Sequence, residues 1–401
     1  MYEKINRSNF LTGMRSITVG IDIGTHRNRV IVGEYAEGEH YPNVIGLGST
    51  ESRGIRHGYV ANKAEAEKSI KNALSEAERS SKVKIRRAFV SVGGLSLESI
   101  AGNGSAIISK ADGEVTELDI KKAIASSEES LGTLQNRKIL HIIPVKWKLD
   151  GKEILGRAVG MKGLKLEVKT LFITCLEQHL NDLVEVIEEA GVEVIDVVAS
   201  PIAASLVTLN KRQKTAGSVL VNIGAETVSM VVFENDTPTF LHVFPIGGTD
   251  ITNDIALGLK IPIEEAEEIK LGGLTTSNYS RRKLDEIIEA RLTDIFELVE
   301  NYLKKIGRSG LLPAGIVLTG GGAQLNLIEE LAKQTLKLPS RITTPDLFQN
   351  SKGKVKDSSW AVAYGLILLS NSLSQDEDGF IRSFLRKTRT LLNSSLKELL
   401  P

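Results

Sequence analysis

Ser16-Ile17-Thr18-Val19-Gly20-Ile21-Asp22-Ile23-Gly24-Thr25 decides how this chain is read. Ile17, Val19, Ile21 and Ile23 fall at every second position, the spacing of a strand, and Gly24 turns the chain before Val30-Ile31-Val32 returns. A strand, a sharp corner and a second strand are expected over 16–35. About 200 residues later the pattern recurs: Val219-Leu220-Val221-Asn222-Ile223-Gly224-Ala225, then an apolar return over 228–232. A third segment runs from an apolar stretch at 315–318 into Gly320-Gly321-Gly322, with a helical pattern expected over 323–333. The two corners suggest two similar halves.

Helical periodicity is plain over 63–79, 177–190, 250–259, 264–271 and 281–306. The last of these puts Leu284, Ile288, Leu292, Ile295, Val299 and Leu303 on one face. Strand-rich and helix-rich segments alternate, so an α/β class is expected. Residues 84–163 break that alternation and are expected to be an inserted domain.

A polyphosphate needs several donors at close range, and backbone N–H groups at a glycine corner can supply them because no Cβ intervenes. Asp22-Ile23-Gly24-Thr25 offers such a corner; the Thr25 hydroxyl adds a donor, and Asp22 can hold magnesium through water. Asn222-Ile223-Gly224-Ala225, with Thr227, offers a second. Facing each other, the two would clamp one polyphosphate between two domains. Gly320-Gly321-Gly322 lets the backbone pass close to a flat ring. Taken singly, each corner is more often an ordinary hairpin and the triplet a flexible turn; the three together are far more specific.

In this order and spacing the three segments resemble the phosphate-one, phosphate-two and adenosine motifs of the actin, sugar-kinase and chaperone ATPase superfamily. Pro201-Ile202-Ala203-Ala204-Ser205 and Ala361-Val362-Ala363-Tyr364-Gly365 resemble its two connecting helices. Phe244-Pro245-Ile246-Gly247-Gly248, Ala266-Glu267-Glu268-Ile269-Lys270, Arg53-Gly54-Ile55 with Gly58-Tyr59-Val60, and His141-Ile142-Ile143-Pro144 are similar to the FtsA family specifically.

The resemblance implies an actin-like, two-lobed ATPase fold with a relocated subdomain. Subdomain 1A would take 14–83, 164–200 and 357–370, and the inserted subdomain 1C would take 84–163. Subdomain 2A would take 201–248 and 313–356, and 2B would take 249–312. It implies ATP and Mg²⁺ as ligands, with Gly248, Glu267 and Lys270 near the ribose and adenine and Gly320 to Gly322 under the base. It also implies filament formation, tethering of the FtsZ C-terminal tail to the inner face of the cell membrane at the division site, and recruitment of other division proteins. Read from the residues alone, Glu267 and Lys270 are three apart on one helix and equally make a solvated ion pair. Asn222 stands where the family's second corner usually opens with Asp, and Glu226 where a smaller residue is common. Asn cannot act as a base or add charge to hold Mg²⁺, and a Glu226 facing the cleft would repel phosphate, so ATP binding with slow or absent hydrolysis is expected.

Residues 371–379 read as an acidic linker. Beyond it Phe380, Ile381, Phe384, Leu385, Leu391 and Leu392 recur at helical spacing, beside Arg382, Arg386, Lys387, Arg389 and Lys397. Five basic groups against Glu398 leave a net +4 over 380–400. An apolar face beside a basic one is the pattern of a helix lying in a membrane interface. A helix docked on the protein's own core, or on a partner, is the alternative.

Lys and Arg total 50 and so do Asp and Glu, a balance that excludes a general nucleic-acid binder. One cysteine, Cys175, cannot form an internal disulfide, and its apolar neighbours make it a buried strand residue. No run of roughly 18 apolar residues is present, so no spanning helix is expected. Residues 1–14 lack the apolar core of a signal peptide, Met14 is a second candidate start, and a cytoplasmic location is expected. The six histidines show no metal-ligand spacing and there is no Gly-x-Ser-x-Gly elbow. A sugar kinase or chaperone ATPase of the same superfamily, or a pilus-assembly relative, remains the other reading. The basic residues Arg281, Arg282, Lys283, Arg291 and Arg308 are ordinarily a solvated face; the resemblance puts them in the subdomain that receives the FtsZ tail.

Overall fold

The computed structural model describes residues 16–36, 38–273, 279–344, 355 and 357–375. The chain opens with β1 (Ser16–Ile23), β2 (Arg27–Tyr35) and β3 (Asn43–Glu51), an antiparallel meander, and then the two-residue strands β4 (Ile55–Arg56) and β5 (Tyr59–Val60). Helix α1 (Lys63–Ser81) follows, started by the Asn62 side chain accepting from Glu65 N and stopped by Lys82 in the left-handed region. It leads to β6 (Arg87–Val92), parallel to β1.

Next comes an excursion of β7 (Glu98–Ile107), α2 (Glu117–Glu129), β8 (Arg137–Leu149), β9 (Lys152–Ile154) and β10 (Lys165–Leu176), which builds its own four-stranded sheet in the order 7-10-8-9. Helix α3 (Glu177–Glu189) and β11 (Glu193–Ala199) return the chain to the first sheet, and α4 (Ser200–Thr208) leaves it.

The second lobe begins with α5 (Lys211–Ala216), β12 (Ser218–Ile223), β13 (Val228–Glu234) and β14 (Thr237–Phe244). Helices α6 (Gly248–Leu259), α7 (Ile263–Lys270) and α8 (Arg281–Lys305) follow, then β15 (Ile316–Thr319), α9 (Ile328–Leu336) and β16 (Ser340–Ile342). Helix α10 (Ala361–Gln375) closes the described chain.

The duplication expected from the two corners is visible in the topology. Written in one sense, the first sheet runs 3-2-1-6-11 and the second 14-13-12-15-16. Each is an antiparallel three-strand meander whose first strand pairs in parallel with a fourth strand, which in turn pairs in parallel with a fifth. β1 and β12 are central and covered on both faces, which is why their buried positions run almost without interruption towards the corners. Three cores result. One holds Ile21, Ile31, Val90 and Ile187, a second Val221, Met230, Leu292 and Phe296, and a smaller third, in the inserted sheet, Val115, Ala123 and Leu166. The α4–α10 pair joins the lobes and packs so closely that a Cβ on Gly365 would stand 1.9 Å from Ala203 O.

Three boundaries differ from expectation. The insertion was expected at 84–163, but β6 belongs to the first sheet and β10, assigned to 164–200, is a central strand of the inserted sheet. β6 is buried along nearly its whole length because parallel strands flank it, whereas the first half of β10 alternates because one face is solvated. Cys175 lies buried in β10. The helix expected at 323 starts at Ile328; the glycine triplet instead makes a short 3₁₀ turn, Gly321–Gln324, and Leu327 takes a positive φ of 64° before the chain can enter the helix. The linker expected at 371–379 is helical over 371–375, a stretch without Gly or Pro. The amphipathic segment 380–401, with Phe380, Ile381, Phe384, Leu385, Arg386, Lys387, Leu391 and Leu392, lies outside the described residues. Among those described, no helix is long and apolar enough to cross a membrane.

Candidate functional site

The β1–β2 and β12–β13 turns are built alike. In each, a Cβ on the glycine would press on the carbonyl oxygen three residues ahead, 2.7 Å for Gly24 to Arg27 O and 2.9 Å for Gly224 to Thr227 O. Any larger residue would open the corner. The second corner is closed by Gly224 N donating to Thr227 O at 2.9 Å. Its carbonyls hold the start of α6, with Gly248 N donating to Gly224 O (2.9 Å) and Thr249 N to Ala225 O (2.7 Å). Thr25 N and Ala225 N have no acceptor among the described residues.

Between the corners lies a cleft of about 540 Å³. Every residue that the sequence assigned to the nucleotide lines it: Asp22, Gly24 and Thr25; Asn222, Gly224, Ala225 and Thr227; Gly248, Glu267 and Lys270; Gly320, Gly321 and Gly322. The volume suits a nucleotide-sized ligand.

Each wall has a distinct chemistry. At the first corner the Asp22 carboxyl is buried and accepts from Ser91 Oγ at 2.7 Å. Burial pushes its pKa up, with the charge of Arg29 and the Ser91 bond opposing. On α6 and α7, Lys270 Nζ donates to Glu267 Oε2 (2.6 Å), Thr252 Oγ1 (2.7 Å) and Gly248 O (3.0 Å). Burial raises the Glu267 carboxyl, but bonds from Lys270 and Thr252 outweigh it and hold the group below its ordinary range. The ion pair read from the sequence is therefore real, and it also faces the cleft. Under the glycine triplet, Gly320 has φ +93°, and a Cβ there would meet Asn222 Oδ1 at 2.3 Å. This turn is tied to the start of α10 by Thr319 Oγ1 donating to Ser358 O and Ser358 Oγ donating to Gly320 O, both 3.1 Å.

Glu226 departs from expectation. It does not line the cleft. Its carboxylate turns to the other lobe, accepting from Arg56 Nη1 at 2.8 Å and from His57 N at 2.6 Å. A buried carboxylate satisfied in this way is no source of repulsion in the cleft. The basic cluster also differs from a free patch. Arg281 and Arg282 pair with Asp285 and Glu286, Lys283 donates to Gly258 O, Arg291 forks onto Asp254, and Arg308 pairs with Glu234.

The reading from sequence missed Arg29, Gly58, Gly93, Gly94, Ser200 and Asp357, all on the cleft wall. Gly93-Gly94 follows the apolar strand β6, a glycine pair visible in the sequence where the chain leaves the first sheet. Arg29 is the ladder partner of Asp22, recoverable by counting across the first corner. Among the described residues no group of three or more His, Cys, Asp or Glu side chains could hold a metal by itself.

Known proteins share this architecture. The family profile described as cell division protein FtsA matches residues 219–365, and that of the SHS2 domain inserted in FtsA matches 94–174, the span of the separate sheet. The cell division protein FtsA of Pseudomonas aeruginosa is 30% identical over 387 residues, covering 91% of each chain. That of Bacillus subtilis is 30% identical over 370 residues, covering 87% of this chain and 82% of its own. Among solved structures, a chain of a PilM–PilN type IV pilus biogenesis complex superimposes with a TM-score of 0.66 at 18% identity, over 88% of this chain and 98% of its own. MreB5 of Spiroplasma citri bound to ADP does so at 0.51 and 14%, over 90% and 99%. At such identities the last two speak for the fold alone, and that fold is actin-like.

Proposed function

This chain belongs to the FtsA family of cell-division proteins, and on that premise we propose that it is an ATP-binding, actin-like protein that polymerises and tethers FtsZ filaments to the membrane. In this reading it works at the inner face of the cell membrane at the division site and recruits later division proteins. The observation that carries the nucleotide part is the cleft, where two glycine corners with unused amides and a glycine triplet line one cavity.

Thr25 N and Ala225 N, with the hydroxyls of Thr25 and Thr227, would take the phosphate oxygens. Glu267 and Lys270 would flank the ribose and adenine beside Gly248, and Gly320 to Gly322 would lie under the base. Asp22 would hold Mg²⁺ through water, and the ion would supply positive charge to offset that of the phosphates. The donor set fits a hydrated ion approached by Asp22 at its corner, since Asn222 contributes no charge and, among the described residues, no group of three or more His, Cys, Asp or Glu could hold the ion directly. Hydrolysis is expected to be weak or absent because Asn222 cannot accept a proton from water. The expected repulsion from Glu226 plays no part, because that carboxylate is occupied elsewhere.

The membrane part rests on the segment 380–401, whose apolar and basic faces suit an anionic interface. One such helix binds weakly, and a filament would array many of them. Sedimentation with anionic vesicles tests the reading. The full chain should pellet with lipid, more so with ATP, and a form ending at Ser370 should stay in solution. Equal pelleting of the two forms, or none by the full chain, would overturn it.

A further inference from the structure

Glu226 sits between two residues of the second corner that line the cleft, Ala225 with its unused amide and Thr227. A carboxylate beside an anion-binding turn is costly unless it is engaged. Here the engagement is with the other lobe. Oε1 accepts from Arg56 Nη1 at 2.8 Å, Oε2 accepts from His57 N at 2.6 Å, and His57 Nδ1 lies 3.3 Å from Glu226 O.

The Arg56–His57 turn is fixed to the first lobe. Ile55 belongs to that lobe's core, the Tyr59 ring lies 4.7 Å from that of His179, and a Cβ on Gly58 would meet Gly94 Cα at 2.4 Å. His57 takes a positive φ of 48°, uncommon for a residue with a side chain, and in that conformation its N–H reaches Glu226. Gly58, the next residue, lines the cleft. The contact therefore bridges the lobes at the cleft's edge.

A polyphosphate gripped between the two corners enters or leaves only when the lobes part, and parting draws Glu226 away from the Arg56–His57 turn. Glu226, Arg56 and His57 do not themselves line the cavity, so breaking their contacts costs the same whether it is empty or filled. A contact of this kind slows entry and release by one factor and leaves affinity alone, because it does not distinguish the two states.

We infer that Glu226 and the Arg56–His57 turn form a latch between the lobes that sets the rate of nucleotide exchange without setting nucleotide affinity. This rests on the nucleotide reading above and deepens it, naming what regulates the same cleft.

The test uses the full chain, native and as Glu226→Ala, Glu226→Gln and Arg56→Ala. Stopped-flow mixing with the fluorescent analogue mant-ATP gives the association and release rates, and calorimetry with ATP gives the dissociation constant. Glu226→Ala should speed both rates together by roughly 10- to 100-fold, the range of a lost hydrogen bond to a charged group, with the dissociation constant within about threefold. Glu226→Gln keeps an acceptor for His57 N and should speed both about fivefold. Arg56→Ala, whose pair is largely exposed, should change either rate by less than about threefold. A merely structural role for Glu226 would lower thermal stability and leave both rates as they were. Unchanged rates in Glu226→Gln overturn the inference even where Glu226→Ala does not fold. So does faster release with unchanged association, because the contact then forms only around bound nucleotide. Normal ATP binding with unaltered rates sinks this inference alone; no ATP binding by the native chain sinks the nucleotide reading and this inference together.

Discussion

Replacing Glu226 separates two opposed expectations for one carboxylate. Glu226 spans the lobes, bonded to Arg56 and to the backbone of His57. Its side chain is 10% exposed and that of Arg56 is 74% exposed. The Arg56 pair is therefore largely screened and contributes about 0–1 kcal/mol. The bond from His57 N is part-buried and charge-assisted, a class that contributes roughly 1.5–3 kcal/mol. Glu226→Ala should then cost about 2 kcal/mol, and Glu226→Gln, which keeps an acceptor for His57 N, about 1 kcal/mol. Arg56→Ala should cost under about 0.5 kcal/mol. Urea denaturation, read from midpoints at constant slope, measures all three. The same variants report on the cleft, because a carboxylate turned away from it leaves ATP affinity within about threefold when neutralised. If Arg56→Ala costs as much as Glu226→Ala, the division of energy is wrong. If Glu226→Gln tightens ATP binding about tenfold, the side chain repels phosphate after all.

Two further outcomes follow from the packing. Gly365→Leu puts a side chain where a Cβ already meets Ala203 O at 1.9 Å; it should force α4 and α10 apart and cost more than about 3 kcal/mol, measured by thermal unfolding, and a native midpoint would refute the close crossing. His141 is buried, and burial lowers its pKa from 6.5 to about 3 while its Nε2 accepts from Ala199 N. Its contribution is fully present above the unfolded value and is lost as pH falls towards the folded one, at up to about 1.4 kcal/mol per pH unit. His141→Gln, an acceptor that takes no proton, should flatten the stability profile between pH ~6.5 and ~4.5; an unchanged slope would count against this assignment.

Much of the site was legible because the glycine corner, alone more often an ordinary hairpin, occurred twice and was followed by a glycine triplet. Asp22 and Asn222 end equivalent strands, so their convergence could be read from repetition alone. What pairs with what could not. β6 and β10 are both apolar strands, and periodicity gives a strand its faces without its neighbours, so the insertion was bounded one strand too early at each end. Leu327 gave no warning of a positive φ, being neither Gly nor Asn, and hid the delayed start of α9. Glu226 was misjudged because one residue in a tight turn points to either wall, and its partners lie about 170 residues away. Arg29 needed only a register count across the first corner.

The most direct test of the account is a crystal structure grown with ATP and Mg²⁺. The account predicts a triphosphate held between Gly24 and Gly224, with the base against Gly320 to Gly322 and the ribose beside Glu267 and Lys270. Nucleotide bound elsewhere, or a cleft in which the two glycine corners contact no common ligand, would contradict it.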